Sequence, residues 1–344
     1  MFKLRLTALN QRRWRNFRAN GRGYWSLWII IALFVLTTFA ELLANSRPLL
    51  VSYKGELYVP VLRDYPETTF GGAFETPADY TDAYLRNLLD ENGWVVFPLV
   101  PFSYDTADFN LGQTAPSAPD GRHWLGTDNQ GRDVLARLIY GFRVSLLFAL
   151  ALTIVSTVIG VAAGAVQGYF GGLTDLLFQR VIEIWGGLPQ LFILIIVSSI
   201  IAPGFWTLLL VLLFFSWTSL VALVRAEFLR ARNFDYVRAA KALGMIDRAV
   251  MIKHVLPNAV VATVTYLPFI LSGAVVALTS LDFLGLGMPP GSASLGELLK
   301  QGKENLKAPW LGLTGFFAIA GMLTLLVFVG ESVRDALDPR KTFR

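Results

Sequence analysis

The chain has 344 residues, of which 54% are hydrophobic and only 16% charged, with a net charge of +5 and no cysteine. Soluble domains run at roughly 45–50% apolar and about 25% charged, so this composition points to a chain solvated partly by lipid. Without cysteine there is no disulfide scaffold, thiolate zinc site, iron–sulfur cluster or thiol catalysis, and His123 and His254 alone do not make a histidine-rich metal centre.

The apolar excess is gathered into spans. Crossing about 30 Å of hydrocarbon takes about 20 apolar residues in a helix. In chain order the expected spans are 24–44, 144–164, 181–201, 205–224, 259–281 and 311–330. The third contains Glu183 and Pro189, and its start is blurred by the apolar run 176–185. The first is too long for a signal-peptide core and lacks a clean cleavage site after it, so it is expected to remain as an anchor.

Charge sets the orientation. Residues 1–23 carry Lys3, Arg5, Arg12, Arg13, Arg15, Arg18 and Arg22 and no acid, and residues 228–258 carry six bases against Asp235 and Asp247. Residues 45–143 carry thirteen acids and eight bases. Basic segments stay cytoplasmic, which predicts a basic leader (1–23), a first span (24–44), an exported segment (45–143), a helical core (144–334) and a tail (335–344), with both termini inside. Within the exported segment, 56–62 and 94–97 are strand-like. A short helix is expected over 79–89 with Tyr80, Tyr84 and Leu88 on one face, and 115–121 is a linker.

Several chemistries are missing. Gly302-Lys303 is followed by Glu304, so it has neither the spacing nor the hydroxyl of a phosphate loop. No HExxH, GxSxG or paired intramembrane aspartate is present. Glu41, Glu183, Asp282 and Glu331 all lie near span ends, unlike the mid-span acids of an ion-coupled carrier, and Glu183 has Arg180 at i,i+3. Gly160, Gly164 and Gly168, spaced by four, suit close helix packing.

The most informative stretch is the loop 228–258. Asp235 is placed to cap a helix from Tyr236, Ala239, Ala240 and Ala242 keep that helix slim, and Gly244 suits a left-handed stop. Asp247 is placed to cap a second helix, and Pro257 to interrupt the chain where the fifth span begins. A lone histidine there, His254, reads as structural or docking rather than as a proton relay.

Ala239-Ala240, three residues, Gly244, nine residues, then His254-Val255-Leu256-Pro257 resembles the EAA-x3-G-x9-I-x-LP loop of bacterial ATP-binding-cassette importer permeases. Arg238 stands where that pattern has Glu, and His254 where it has Ile; the His-Val-Leu-Pro-Asn ending is similar to the peptide and nickel branch. Residues 124–137 (Trp-Leu-Gly-Thr-Asp-Asn-Gln-Gly-Arg-Asp-Val-Leu-Ala-Arg) and 281–287 (Leu-Asp-Phe-Leu-Gly-Leu-Gly) resemble segments of oligopeptide and dipeptide permease C-type subunits.

The resemblance implies an all-α polytopic membrane protein of six transmembrane helices, in the type I importer permease (MetI-like) fold with an enlarged periplasmic segment. It implies pairing with a homologous second permease, two ATP-binding subunits or one fused ATPase that bind ATP and magnesium, and a periplasmic solute-binding protein. This chain would itself carry no cofactor, catalytic residue or metal, and would not bind nucleic acid. Asp235, Arg238, Ala239, Ala240, Gly244, His254, Leu256 and Pro257 would couple it to the ATPase. The cargo would be oligopeptides or peptide-like compounds such as microcin C-type conjugates. The rival reading is a stand-alone secondary carrier or channel, which has no reason to keep the signature loop.

Overall fold

The computed structural model describes residues 8–338, so the expectations that rest on Lys3, Arg5, Arg340, Lys341 and Arg344 lie outside the described residues. The chain runs α1 (Ala8–Ala19), α2 (Gly21–Thr38) and α3 (Ala40–Leu43), then β1 (Leu50–Tyr53), β2 (Glu56–Tyr58), α4 (Ala83–Asn92) and β3 (Gly93–Val96). The helical body follows: α5 (Val134–Phe170), α6 (Gly172–Gly186), α7 (Gln190–Ile200), α8 (Phe205–Ser216), α9 (Thr218–Ala231), α10 (Asp235–Ala242), α11 (Asp247–Val250), α12 (Leu256–Leu284), α13 (Leu295–Glu304) and α14 (Pro309–Leu337).

Five helical stretches among the described residues are long and apolar enough to cross a membrane, and a sixth forms if α6 and α7 are one broken span. Those two meet at a bend of 67°. The expected third span therefore starts earlier, at Gly172, and is divided at Gly187–Pro189. Proline at 189 has no amide hydrogen to continue the helical ladder and restricts the residue before it, so the helix restarts after it. The second span also differs from expectation: α5 begins at Val134, taking ten residues from the exported segment, because Asp133 caps it by accepting from the Ala136 amide at 2.7 Å.

Small residues let α5 lie directly on α8 and α9. A Cβ at Gly160, Gly164 or Gly168 would stand 2.6, 2.8 or 2.5 Å from the carbonyl oxygens of Trp217, Val221 and Arg225. The close-packing reading of this glycine series holds, one glycine per turn against one carbonyl per turn. α14 packs against α2, α12 and α13. The core of the body joins Phe148, Leu152, Leu208, Leu212, Val275, Leu278 and Met322.

The segment between α3 and α5 adds a small sheet to the helical body. Its order is β2-β1-β3, antiparallel throughout, with Val51 facing Tyr58 on one side and Val95 on the other. Val51, Tyr53, Phe70, Tyr80, Leu85 and Leu89 form its core. The helix here is α4 rather than 79–89, and its buried face is Leu85 and Leu89, while Tyr84 points to solvent. Asp82 sets the start by accepting from the Tyr84 amide at 3.1 Å. The sheet unit is moored to the helices: Asn45 and Val100 pair, the Tyr140 hydroxyl donates to the Ala44 carbonyl at 3.0 Å, and Arg143 meets Glu41 at 2.9 Å.

Candidate coupling elbow and the opposite ionic clamp

The two ends of the helical body carry different chemistry. At the basic end, α9 turns through Arg232–Phe234 into α10, which has Val237 and Ala240 buried. These two join Ala165, Tyr169, Val224, Phe228, Val250, Val255 and Ala259 in a local core. The remaining face of α10 is exposed, including Asp235, Arg238 and Ala239.

α10 ends in a Schellman turn. The Met245 amide donates to Ala240 oxygen at 3.2 Å and the Gly244 amide to Lys241 oxygen at 2.9 Å, with Gly244 left-handed at φ 81°. The expected left-handed stop at Gly244 is thus what the structure contains. On either side of it the chain presents Leu243, 85% exposed, and Ile246, 70% exposed. Neither was singled out from the sequence, where their apolar character blends with that of the spans.

Two expected caps are not formed. Asp235 and Asp247 are the first helical residues, with Phe234 and Ile246 in the cap positions and no side-chain cap bond at either. Their carboxylates favour the helix starts through the dipole instead. Asp247 has a further role, because it accepts from the Tyr169 hydroxyl at 2.6 Å and faces the Lys241 ammonium at 3.3 Å. Lys241 in turn sits 4.6 Å over the Tyr169 ring. The two arms of the elbow are therefore tied to the end of α5.

Pro257 does not interrupt the chain. α11 runs through a π-helical turn, Met251–Val255, directly into α12. Proline lacks the amide hydrogen for an i→i−4 bond and its ring crowds that carbonyl; widening the preceding turn, with the Leu256 amide on Met251 oxygen, makes room for it. His254 lies in this wide turn and is half-buried, as is Leu256, while Pro257 is exposed and Asn258 donates to the Tyr236 hydroxyl at 2.9 Å. The structure gathers all eight residues of the signature into one elbow, with Ala240, His254 and Leu256 packed inward and the others outward. The base of the elbow is braced by Arg225, which grips both carboxylate oxygens of Asp175 at 2.5 and 2.6 Å.

At the opposite end, residues 108–137 fold onto α13 through buried charge. Arg132 holds Asp128 at 2.6 Å and Glu297 at 3.2 Å, and Arg137 holds Glu297 at 2.6 Å and the Ser292 carbonyl at 2.9 Å. Arg137 and Asp128 are fully buried. Gln301 donates to Glu297 at 3.1 Å and accepts from the Asn129 amide at 3.3 Å. The Trp310 indole donates to Thr127 oxygen at 3.1 Å and covers Gly126. The segment 124–137, legible in the sequence only as a resemblance, is the female half of this clamp.

His123 completes it. Its Nδ1 lies 2.8 Å from Asp133 and its Nε2 3.3 Å from Asp108, with the ring stacked on Phe102 at 4.4 Å. Burial alone would push this imidazole down; the contacts with Asp133 and then Asp108 outweigh it and hold the ring above the ordinary histidine value. The same turn lowers Asp120, whose carboxylate accepts from the His123 amide at 2.6 Å and the Arg122 amide at 2.8 Å. Among the described residues no group of three or more His, Asp or Glu side chains is arranged to hold a metal ion.

A bundle of membrane-length helices with an amphipathic elbow at one end is the architecture of a multi-pass membrane transport subunit, and the relatives place that subunit in the inner membrane. The chain belongs to the family described as binding-protein-dependent transport system inner membrane component, whose model matches residues 156–343. Among its relatives is the Escherichia coli inner membrane ABC transporter permease protein YejE, 56% identical over 98% of this chain and 99% of that one. The Agrobacterium fabrum peptidoglycan transport system permease protein YejE is also 56% identical, over 97% of this chain and 94% of its own length. The Haemophilus influenzae oligopeptide transport system permease protein OppC is 34% identical over 70% of this chain and 77% of that one. Of solved structures, the inward-facing MetNI methionine ABC transporter matches 58% of this chain and 96% of its own at 17% identity and a TM-score of 0.47.

Proposed function

We propose that the chain is the transmembrane subunit of an ATP-driven importer that carries peptides or peptide-like compounds, microcin C-type conjugates among them, from periplasm to cytoplasm. The cargo class rests on the transport systems named for the relatives, to which the chain is similar over most of its length. The basic end, with both termini and the elbow, faces the cytoplasm, in keeping with the basic loop 228–258 and the acidic segment 45–143.

The observation that carries the reading is the elbow: a slim helix pinned at its root, with Leu243 and Ile246 held out in solvent beside the small surface of Ala239. Exposed apolar residues on a rigid knob at the basic end suit insertion into a groove on a cytoplasmic ATPase. Arg238 is exposed where the family pattern has an acid, so the contact here is cationic. Hydrolysis, with ATP and magnesium, then belongs to two partner ATPases or one fused pair, and a homologous second permease and a periplasmic binding protein complete the assembly. Closure of the ATPases would pull the elbow and, through Asp247 and Tyr169, tilt α5 with it, shifting the bundle between inward- and outward-facing populations. A stand-alone carrier or channel gains nothing from such an elbow.

The chain contains no cysteine, so Leu243→Cys supplies a single thiol for crosslinking. Zero-length or short crosslinking to a co-expressed ATPase subunit is the expected result. Absence of any such adduct, together with failure to co-purify ATPases and a second permease, would falsify the proposal.

A further inference from the structure

At the basic end, α1 folds back over the root of the bundle. It carries Arg12, Arg13, Arg15 and Arg18 and no acid. Trp14 lies 44%, Trp28 45% and Trp25 64% exposed around the α1–α2 corner, a cluster of amphipathic rings of the kind that sits at headgroup level. Arg18 is 5.6 Å over the Tyr24 ring, which fixes the corner.

Beneath this corner is a groove of about 480 Å3 in which Arg13, Asn10 and Trp14 face Val260, Val264 and Leu337. Its walls are otherwise hydrocarbon, and two grooves adjoin it and meet each other at Thr157, Val158 and Leu267, the second with Arg248 in its lining. One shares Leu27 and runs along α2 past Ile31 to Phe34, about 470 Å3; the other shares Val260 and Val264 and runs between α5 and α12, about 680 Å3. From Leu27 to Phe34 the helix rises about 10 Å at 1.5 Å per residue. The Arg13 guanidinium has Asn10 Oδ1 at 3.4 Å as its polar contact. Asp335 and Asp338 at the end of α14 hold partners of their own.

We propose that this groove is a binding site for an anionic phospholipid, with the phosphate on Arg13 and the two acyl chains side by side in the adjoining grooves along α2 and α12. The charge selects the headgroup, the two adjoining grooves take two tails, and the aromatic corner sets the depth at which a headgroup lies. Such a lipid would glue α1 to the α12 and α14 roots, which otherwise meet across the open groove.

The test is lipid retention by the full-length chain in mild detergent, offered equal phosphatidylglycerol and phosphatidylcholine with the same acyl chains and read by native mass spectrometry. Phosphatidylglycerol should be retained preferentially, and Arg13→Gln should lower its retention about fivefold, while Arg13→Lys keeps it. Leu27→Trp, which fills the groove without touching the charge, should lower retention of both lipids. Equal retention of the two lipids, phosphatidylglycerol binding unchanged in R13Q, or displacement of the lipid by inorganic phosphate would each overturn the site. So would loss of both lipids in the assembled transporter, which would mean that a protein partner covers the groove.

Discussion

The Tyr169 hydroxyl donates to the Asp247 carboxylate across 2.6 Å, joining residues seventy-eight positions apart and tying the end of α5 to the second arm of the elbow. Together with Lys241 over the Tyr169 ring, this bond links the exposed tip at Leu243 to the longest helix of the bundle. Removing it should loosen transmission while leaving the fold standing. Tyr169→Phe keeps the ring under Lys241 and removes only the hydroxyl. We expect near-normal ATPase activity in the assembled transporter with uptake lowered several-fold, since a hydrogen bond to a charged group is worth more than a neutral one. Equal loss of both activities, or of neither, would remove Asp247 from the coupling route.

Gly244 separates two effects. Its left-handed φ costs any side chain about 1 kcal/mol, yet no atom lies within 4 Å of a Cβ built there. Gly244→Ala should therefore assemble with slightly reduced stability and retain uptake. Gly244→Trp should reach the membrane but lose ATPase docking, measured by co-purification. If the alanine variant is as inactive as the tryptophan one, conformation rather than surface shape governs the elbow.

Gly164 and Gly168 face carbonyl oxygens rather than flexible side chains. Backbone cannot move aside as a side-chain tip does, so Gly168→Val should force α5 and α9 apart at a cost of about 1–3 kcal/mol. Gly273, which has open space around it, is the control, and Gly273→Ala should be close to neutral. Thermal unfolding in detergent compares the two.

Arg137 is fully buried between Asp128 and Glu297. Arg137→Met leaves those carboxylates with Arg132 as their cation inside the clamp, and breaking a buried pair from one side costs about 3–5 kcal/mol. The double variant Arg137→Met with Glu297→Leu should recover part of that loss. Protection of residues 124–137 in hydrogen exchange is the measurement, and no recovery in the double variant would place Arg137 in a packing role alone.

The His123 clamp should be pH-dependent. Because the folded ring is held above its ordinary value of about 6.5, its ion pairs with Asp133 and Asp108 stabilise fully below that pH. The contribution is lost as pH rises through the higher folded value. Proteolysis within residues 108–133 should thus be slower at pH 6 than at pH 8.5, and His123→Gln should flatten the difference. An opposite slope would mean the imidazole is neutral in the fold.

Spans and the signature loop were legible in the sequence for plain reasons. Lipid demands an uninterrupted apolar run wherever a helix crosses, and a left-handed turn demands glycine, so 311–330 and Gly244 announce themselves. Asp235 and Asp247 were read as caps because aspartate before a helical pattern usually is one. Whether the carboxylate turns back to its own amides or out to Tyr169 depends on a helix far away in sequence. The start of α5 was missed because its first ten residues include Arg137 and Arg143, charges that look like loop until their partners Glu297 and Glu41 are brought beside them.

Composition and charge alone determined that this chain lives in a membrane, carries no thiol or metal chemistry of the excluded kinds, and has two unlike ends. Those are additive properties, set residue by residue by transfer between water and lipid. The division of α6 from α7, the π turn ahead of Pro257, the clamp around Arg137 and the groove under α1 were decided only in three dimensions. Each depends on which distant backbone or charge comes to lie within a few ångströms, and no local pattern carries that information.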